Sequence, residues 1–533
     1  MLCMSYDRID TTQPLAEILW ADDEIDLLRP HILFLSAKGY RVTPVRSGND
    51  AITAITAGSP RFDLVFLDEN MPGLSGLDTL DKIKALTPNT PIALITKSDD
   101  EQIMDIAVGN RIADYLIKPV NPSQILLSIK KVLHSDRLIT EADSRRSREH
   151  YLSLNGSIDK ADSIEDWQKI YRILAESSVS LDSTQSDTAT IFNSIIDRAN
   201  NAFFRFVRHN YRHWISAREY GDNPIMSPDV LDRTVLPLIR QEKRPVFLLL
   251  DNLTLSQWII AKSIFTSRFN ISDETLYTAI LPTSTQYCRN AILSGLMPLD
   301  IASRFPELWV NEKSSSGKNL AEETMLRDWA DRRQLKDRTI SYIHTTDTAS
   351  IRLLSLSFRE TAASTDDLTV IIVNFTDMLS HSVTDNPILR EIAPDDAAFR
   401  SIFLSWLSHS PLRKLIENIA DARRPIVVTT DHGSIKVTNP VRISAGRDST
   451  SAMRYKIGRN ISFPPKQTFE MQRPHQFRIP AGISSSCVIA GRRDLLLYPN
   501  DFNRYAGMYA GTYQHGGISM QEMILPLVTL VPK

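Results

Sequence analysis

Asp431 and His432 stand side by side at the end of a short apolar run, PIVVTTDHGS at 425–434. Four to five apolar or β-branched residues closed by Asp-His-Gly read as a strand buried on both faces, delivering a carboxylate and an imidazole at its C-terminal end. Open α/β sheets hold their ligands at that end. A carboxylate beside an imidazole suits a divalent metal, and Gly433 lets the backbone turn sharply next to them. Four more segments of the same half of the chain repeat the pattern. PVFLLLDNLTLSQW is a buried strand ending at Asp251, and YTAILPTSTQYCRN sets Thr283, Ser284 and Thr285 at the start of a helix after a strand that runs to Pro282. LTVIIVNF leads to Thr376 and Asp377, with His381 four residues on, and YQHGG supplies His515 before a final helix and strand.

The first part of the chain has its own set of strand-end chemistry. A short strand at 17–20 is followed at once by Asp22, Asp23 and Glu24. Tyr40 opens a second strand, FDLVFLD ends at Asp68, IALIT ends at Thr96, and DYLI ends just before Lys118 and Pro119. Helical patterns separate these runs, so the alternation predicts a five-stranded parallel sheet with helices on both faces.

Those motifs resemble the receiver domain of bacterial response regulators over residues 15–133. The resemblance implies that Asp68 accepts a phosphoryl group from a sensor histidine kinase, with Asp22, Asp23 and Asp68 holding Mg²⁺. A carboxylate nucleophile attacking phosphorus needs a cation to offset the clustered negative charge. Lys118 would pair with the phosphoryl oxygens, Thr96 would hydrogen-bond to them, and Tyr115 matches the aromatic switch position. Lys97, next to Thr96, is bulky enough to slow entry of phosphodonors or water. The surface at 98–133, with Ile125, Leu126 and Ile129 beside Lys130 and Lys131, reads as suited to a phosphorylation-dependent two-fold contact, hence a homodimer.

The later segments resemble the alkaline-phosphatase superfamily, and their order is nearest to its PglZ-type members. Carried across, Asp251, Thr285, Asp431 and His432 would hold one metal, and Asp377, His381 and His515 another. Mixed carboxylate and imidazole ligands suit two Zn²⁺, with Mn²⁺ chemically allowed. Paired ions clamp the attacking and leaving oxygens of an in-line displacement at phosphorus. Thr285 would be the catalytic nucleophile, with Thr283 and Ser284 as rivals, and its helix N-terminus favours an anionic phosphate. Arg289, one turn on, would bind substrate at a non-bridging oxygen, or serve only at the surface.

Between these parts, residues 134–221 are polar, charged and helical, with helices expected at 162–175 and 188–214. Arg205, Arg208, His209, Arg212 and His213 cluster there, able to grip phosphates or to form a solvated, partner-facing helix side. No helix-turn-helix is evident. The whole chain has 533 residues, 61 basic and 63 acidic, so its net charge of −2 gives no bulk pull toward nucleic acid or membrane. Three dispersed cysteines, Cys3, Cys288 and Cys487, argue against a disulfide framework, and no apolar run is long enough to span a bilayer. These features fit a cytoplasmic protein without membrane contact.

A receiver at 15–133, a helical connector at 134–221 and a PglZ-type domain at 222–533 together resemble the PorX family of response regulators. The expected fold class is α/β, with a helical bundle between two doubly wound sheets. The resemblance implies a PorY-type sensor kinase upstream, contact with a sigma factor downstream, and a role in type IX secretion and gliding. Two functions follow: a phosphorylation-controlled phosphodiesterase acting on nucleotides or oligonucleotides, or a metal-stabilised binding module for a transcription partner.

Overall fold

The computed structural model describes residues 14–58, 60–88, 90–97, 112–133, 153–181, 186–218, 220–221, 223–310, 319–345, 347–360, 366–446, 449–482 and 484–533. The chain divides into two compact units, Met1–His150 and Tyr151–Lys533.

In the first unit, β1 (Ala16–Ala21), β2 (Tyr40–Val45), β3 (Leu64–Asp68), β4 (Ile92–Thr96) and β5 (Asp114–Ile117) form one parallel sheet in the order β2-β1-β3-β4-β5. β3 and β4 are buried along their whole length, as continuous apolar runs require in a sheet covered on both faces. The helix Pro122–Leu133 corrects one expectation. Ile125 and Ile129 have no exposed surface and belong to the core that β1 and β3 share, because at a spacing of four they form the helix's inward stripe. Leu127 is the apolar side chain that this helix leaves exposed, and Lys131 is paired with Asp114 at 2.6 Å. The rest of that surface, 98–111, lies outside the described residues.

The second unit is built on a six-stranded sheet. Its strands are β6 (Val246–Leu250), β7 (Phe269–Thr278), β8 (Ile340–Thr345), β9 (Leu368–Val373), β10 (Ile426–Thr429) and β11 (Ile524–Pro532), in the order β7-β11-β10-β6-β9-β8. β10, β6, β9 and β8 run parallel, and β11 is antiparallel to both β10 and β7. Hence the C-terminal ends of five strands and the N-terminal end of β11 lie on one edge, with Ile524 opposite Thr278. A smaller three-stranded sheet, Tyr455–Gly458, Thr468–Met471 and Ser486–Ala490, has no counterpart in the expected layout because its strands are too short for a periodicity signal.

Two helices, Ile164–Leu181 and Ser186–Ala217, precede this sheet. Ile164, Trp167, Ile170 and Leu174 are buried, as are Phe203 and Val207, and all share one core with β6. Polar ties reinforce the packing: Gln168 donates to the Leu276 carbonyl at 3.1 Å, and Asn200 bonds to Gln521 and to the Met520 amide. From Ile164 on, the segment that stands apart in sequence is thus built into the second unit. Among the described residues no helix is long and apolar enough to cross a membrane.

Candidate metal centre and phosphoacceptor pocket

Asp431 follows β10, Asp251 follows β6, and Asp377 lies just beyond β9; these three strands are neighbours, so their ends bring three carboxylates together. Asp251, Asp431 and His432 form one group whose candidate ligand atoms lie within 4.8 Å of one another, and Asp377, His381 and His515 form a second by the same measure. The two groups meet where the His432 and His515 rings stack at 4.1 Å. The Thr285 hydroxyl, at the first position of the helix Thr285–Ser294, is 3.0 Å from Nε2 of His432.

Each imidazole is oriented by the backbone. Nδ1 of His432 faces the Gly433 carbonyl and Nδ1 of His515 faces the Thr283 carbonyl, both at 3.3 Å. Donation from Nδ1 leaves the Nε2 lone pairs turned inward, toward Asp251 at 3.7 Å for His432 and toward Asp377 at 3.8 Å for His515. Burial lowers the pKa of His432, and burial together with the stacked His432 pushes His515 down to about 3. Both rings are therefore neutral and able to ligate.

The carboxylates differ in how burial and their neighbours shift them. Burial, then the neighbouring Asp431, holds Asp251 well above the usual carboxylate range, and burial raises Asp431 too, with Arg289 opposing the shift in each. Oδ1 of Asp251 and Oδ2 of Asp431 are buried without a hydrogen-bond partner. Two orphaned carboxylate oxygens beside an inward Nε2 are a donor set that a divalent cation satisfies, so the residues fit a metal. Asp377 differs. Burial alone would raise its pKa, but the bond from His381 at 3.4 Å holds it well below the usual range.

Several residues position this set, and apart from Arg289 they are not evident in the sequence. Arg289, 2% exposed, donates to Oδ2 of Asp251 at 2.9 Å and to Glu322 at 2.7 Å. It therefore stands behind Asp251, buried, rather than at the surface. Asn374 accepts from the same guanidinium, and Tyr342 donates to the other oxygen of Glu322. Asn252 ties the two groups together: its side chain donates to Asp377 at 3.1 Å and its backbone faces Asp431 at 3.4 Å. It does so from a left-handed conformation, φ 60°, which asparagine tolerates better than most residues. An Asn immediately after a strand-end Asp was the one available signal. Arg454 and Glu522, both buried, brace the His515 loop, since Glu522 also accepts from the Gly517 amide at 2.8 Å.

The three candidate hydroxyls are now separable. Thr283 donates to the Gly517 carbonyl at 2.8 Å and accepts from the Gly516 amide at 3.1 Å, so its hydroxyl is engaged in holding the loop of His515. Ser284 is the N-cap, yet its hydroxyl neither caps the helix nor finds another partner. Glycine is required at 433, where a Cβ would stand 2.1 Å from the Gln521 carbonyl, and at 516, where φ is 112°.

In the first unit Lys118 bridges Asp22 at 2.8 Å and Asp68 at 2.9 Å. Asp22, Asp23 and Asp68 offer ligand atoms within 4.8 Å of one another, and Oδ1 of Asp68 is buried without a partner. All-oxygen donors of this kind fit Mg²⁺. Burial raises the pKa of Asp68 despite Lys118. Thr96 is buried at the end of β4, and Tyr115 is partly buried on β5. Lys97 reaches out to Glu24 at 3.1 Å, both side chains about half exposed.

Comparison with known proteins follows these divisions. Residues 230–530 match the BREX system PglZ alkaline phosphatase-like domain, residues 18–130 the response regulator receiver domain, and residues 137–215 the PorX response regulator linker domain. Similar curated proteins include the uncharacterized transcriptional regulatory protein YkoG of Bacillus subtilis (strain 168), 32% identical over 126 residues, 23% of this chain and 54% of that protein. The probable transcriptional regulatory protein TcrX of Mycobacterium tuberculosis is 31% identical over 125 residues, 23% of this chain and 52% of its own length. The chain thus spans about half the length of these curated relatives. Among solved structures, a CheY-like response regulator receiver domain protein from Methanospirillum hungatei JF-1 is 26% identical, covering 22% of this chain and 94% of its own, with a TM-score of 0.22. A receiver domain protein from Clostridium thermocellum is 29% identical over 24% of this chain and 100% of its own, also with a TM-score of 0.22. Since the PglZ match takes in more than half of the chain and follows a receiver and a PorX linker, this chain belongs to the PglZ family and has the PorX-like response-regulator architecture.

Proposed function

We propose that this two-component response regulator is a phosphorylation-controlled phosphodiesterase: phosphorylation of Asp68 governs a two-zinc centre that hydrolyses nucleotide or oligonucleotide phosphodiesters. The observation that carries the reading is the Thr285 hydroxyl, 3.0 Å from His432 Nε2, at the seam of two groups that each supply three ligand side chains. Asp251, Thr285, Asp431 and His432 would hold one ion, and Asp377, His381 and His515 the other. When bound, the ions supply Lewis acidity at the attacking and leaving oxygens and lower the pKa of the threonine hydroxyl.

The Thr285 oxygen forms the new bond to phosphorus as the bond to the bridging oxygen of the leaving alcohol breaks, the threonine proton being lost and one taken up by the alcohol; water then cleaves the phosphothreonine, releasing the phosphate monoester and restoring the hydroxyl. The N-terminus of the ten-residue helix Thr285–Ser294 lies beside the charge that develops on the phosphoryl oxygens. Arg289 acts as a positioning residue. Held by Asp251 and Glu322, it is taken out of contact with substrate, and this supports a diester over a dianionic monoester, which needs more positive charge at the site.

Mg²⁺ on Asp22, Asp23 and Asp68 would assist phosphoryl transfer from a sensor kinase of the PorY type, with Thr96, Tyr115 and Lys118 reading the result. The phosphorylated form is a homodimer, the setting is the cytoplasm, and the output is type IX secretion and gliding, with a sigma factor as partner. The test is hydrolysis of bis(p-nitrophenyl) phosphate by the purified chain, measured as isolated, after chelation, and after reloading with zinc or manganese. Activity that follows metal content is the expected result. A metal-replete chain inert toward diesters would replace catalysis with partner binding.

A further inference from the structure

The helix Ser186–Ala217 carries a row of basic side chains that the metal centre does not use. Arg205, Arg208, His209, Arg212 and His213 are all exposed. At 100° per residue they fall within about 140° of one face, opposite the buried Phe203, Val207, Tyr211 and Trp214. The charge of the three arginines is not compensated. Arg198 and Arg218, which flank the row, are paired with Asp159 at 2.6 Å and Asp229 at 2.9 Å. Arg205, Arg208 and Arg212 face no carboxylate within ion-pair distance among the described residues, and Arg208 reaches only the Pro465 carbonyl at 3.3 Å. The sequence explains why: from Arg198 to Arg218 there is no Asp or Glu, so no helical neighbour three or four residues away can neutralise them. In a chain of net charge −2 this is a local excess, not a reflection of composition.

The row continues into a groove. Arg212 lines it together with Glu470, Gln472, Arg473, Gln476 and Phe477. Glu470, the one acid there, accepts from Gln472 at 3.3 Å. From Arg205 to Arg212 the helix rises roughly 10 Å, enough to meet two successive phosphates of an extended strand, while the glutamine amides offer donors and acceptors to base edges.

We propose that this face binds single-stranded nucleic acid, with Arg205, Arg208 and Arg212 on the phosphates and the Gln472 and Gln476 groove beside the bases. The assignment goes beyond hydrolysis and stands without it, because it concerns binding alone. Across the same helical turn, Tyr211 accepts from the Leu281 amide at 2.8 Å, which joins the strand-binding helix to the loop that leads into the helix of Thr285.

The test is fluorescence anisotropy with a labelled mixed-sequence 20-nucleotide DNA strand and the full chain, at several salt concentrations. Arg205→Glu/Arg208→Glu/Arg212→Glu should weaken binding at least about tenfold and reduce the log–log salt slope by about 1.4, as expected when contacts to two phosphates of a single strand are lost. Arg240→Glu/Arg459→Glu/Arg504→Glu, which changes net charge equally at other exposed sites, should weaken it less than about twofold. Equal losses in the two variants, no binding by the wild type, or equal competition by polyglutamate of matched charge would each overturn the proposal. Hydrolysis of bis(p-nitrophenyl) phosphate should be unchanged in the first variant, so failure of the catalytic reading and failure of the strand site are told apart.

Discussion

The two halves of the candidate metal centre use the same residue types in different settings. Asp251, Asp431 and His432 are at most 2% exposed, sit at the ends of adjacent strands and include two orphaned carboxylate oxygens. In the other half His381 is 63% exposed, and both Asp377 and His381 come from the helix Phe375–Asp385. A ligand set locked by a sheet and desolvated has little alternative to holding an ion, whereas an exposed histidine on a helix can be rehydrated when its ion leaves. The inner half should therefore bind permanently and the outer half exchangeably.

Asp431→Ala gives the largest effect. Because it removes a ligand from the buried half and the Asn252 link to Asp377 lies beside it, elemental analysis should find both ions lost and diester hydrolysis at background. His381→Ala should lose one ion, and a short treatment with chelator should remove that same ion first from the wild type. Equal retention in the two variants would erase the distinction between the halves.

Thr285→Ala separates nucleophile from ligand. Hydrolysis should fall at least about 10³-fold, by analogy with loss of other catalytic nucleophiles, while most of the metal stays. Ser284→Ala and Thr283→Ala should remain within about tenfold of wild type. For Thr283 a drop in melting temperature is expected as well, since its hydroxyl holds Gly516 and Gly517. Wild-type turnover in Thr285→Ala would assign the attack to water.

Arg289→Met probes the inner half from behind. Removing one partner from a buried ion pair costs about 3–5 kcal/mol, here because Asp251 and Glu322 would be left facing each other without a cation. The expected readout is a lowered denaturation midpoint with a lowered kcat and a nearly unchanged KM. A raised KM with full stability would make Arg289 a substrate ligand after all.

Much of this centre was legible because strand ends are where sequence periodicity stops and chemistry begins: Asp251, Asp377, Asp431 and His432 each follow an apolar run whose length and β-branching announce a strand. The residues behind them were not legible. Glu322 reaches Arg289 from a helix, and Tyr342 reaches Glu322 from a strand, with no local pattern connecting either to Arg289, and Arg454 meets Glu522 across 68 residues of sequence. Pairing of that kind is decided by packing. The same limit explains the helix Pro122–Leu133, where Ile125 and Ile129 look available in the sequence until the sheet covers them.

The receiver pocket extends the comparison and gives the smallest expected effect. Its acidic group resembles the inner half in holding a buried, partnerless carboxylate oxygen, but a lysine on the pocket's own rim replaces the remote arginine: Lys118 contacts both Asp22 and Asp68 and is 14% exposed. A cation that solvent and a phosphoryl group can both reach is free to change partners, while Arg289 is not. Phosphorylation or the mimic BeF₃⁻ with Mg²⁺ should therefore draw Lys118 from Asp22 toward the new oxygens, with Thr96 and Tyr115 following, and shift a mostly monomeric chain to a dimer in sedimentation. Since Ile125 and Ile129 are core residues, the contact must use the exposed side of their helix, so Leu127→Glu should block the dimer and leave the phosphoacceptor intact. Asp68→Ala should block it by removing the acceptor, with the metal content of the second unit unchanged. The effect on diester hydrolysis should be two- to fivefold, because phosphorylation biases an equilibrium between states and adds no ligand to the metal centre. A dimer formed equally well by Leu127→Glu would move the contact to residues 98–111, and an unchanged mass with the mimic bound would detach phosphorylation from self-association.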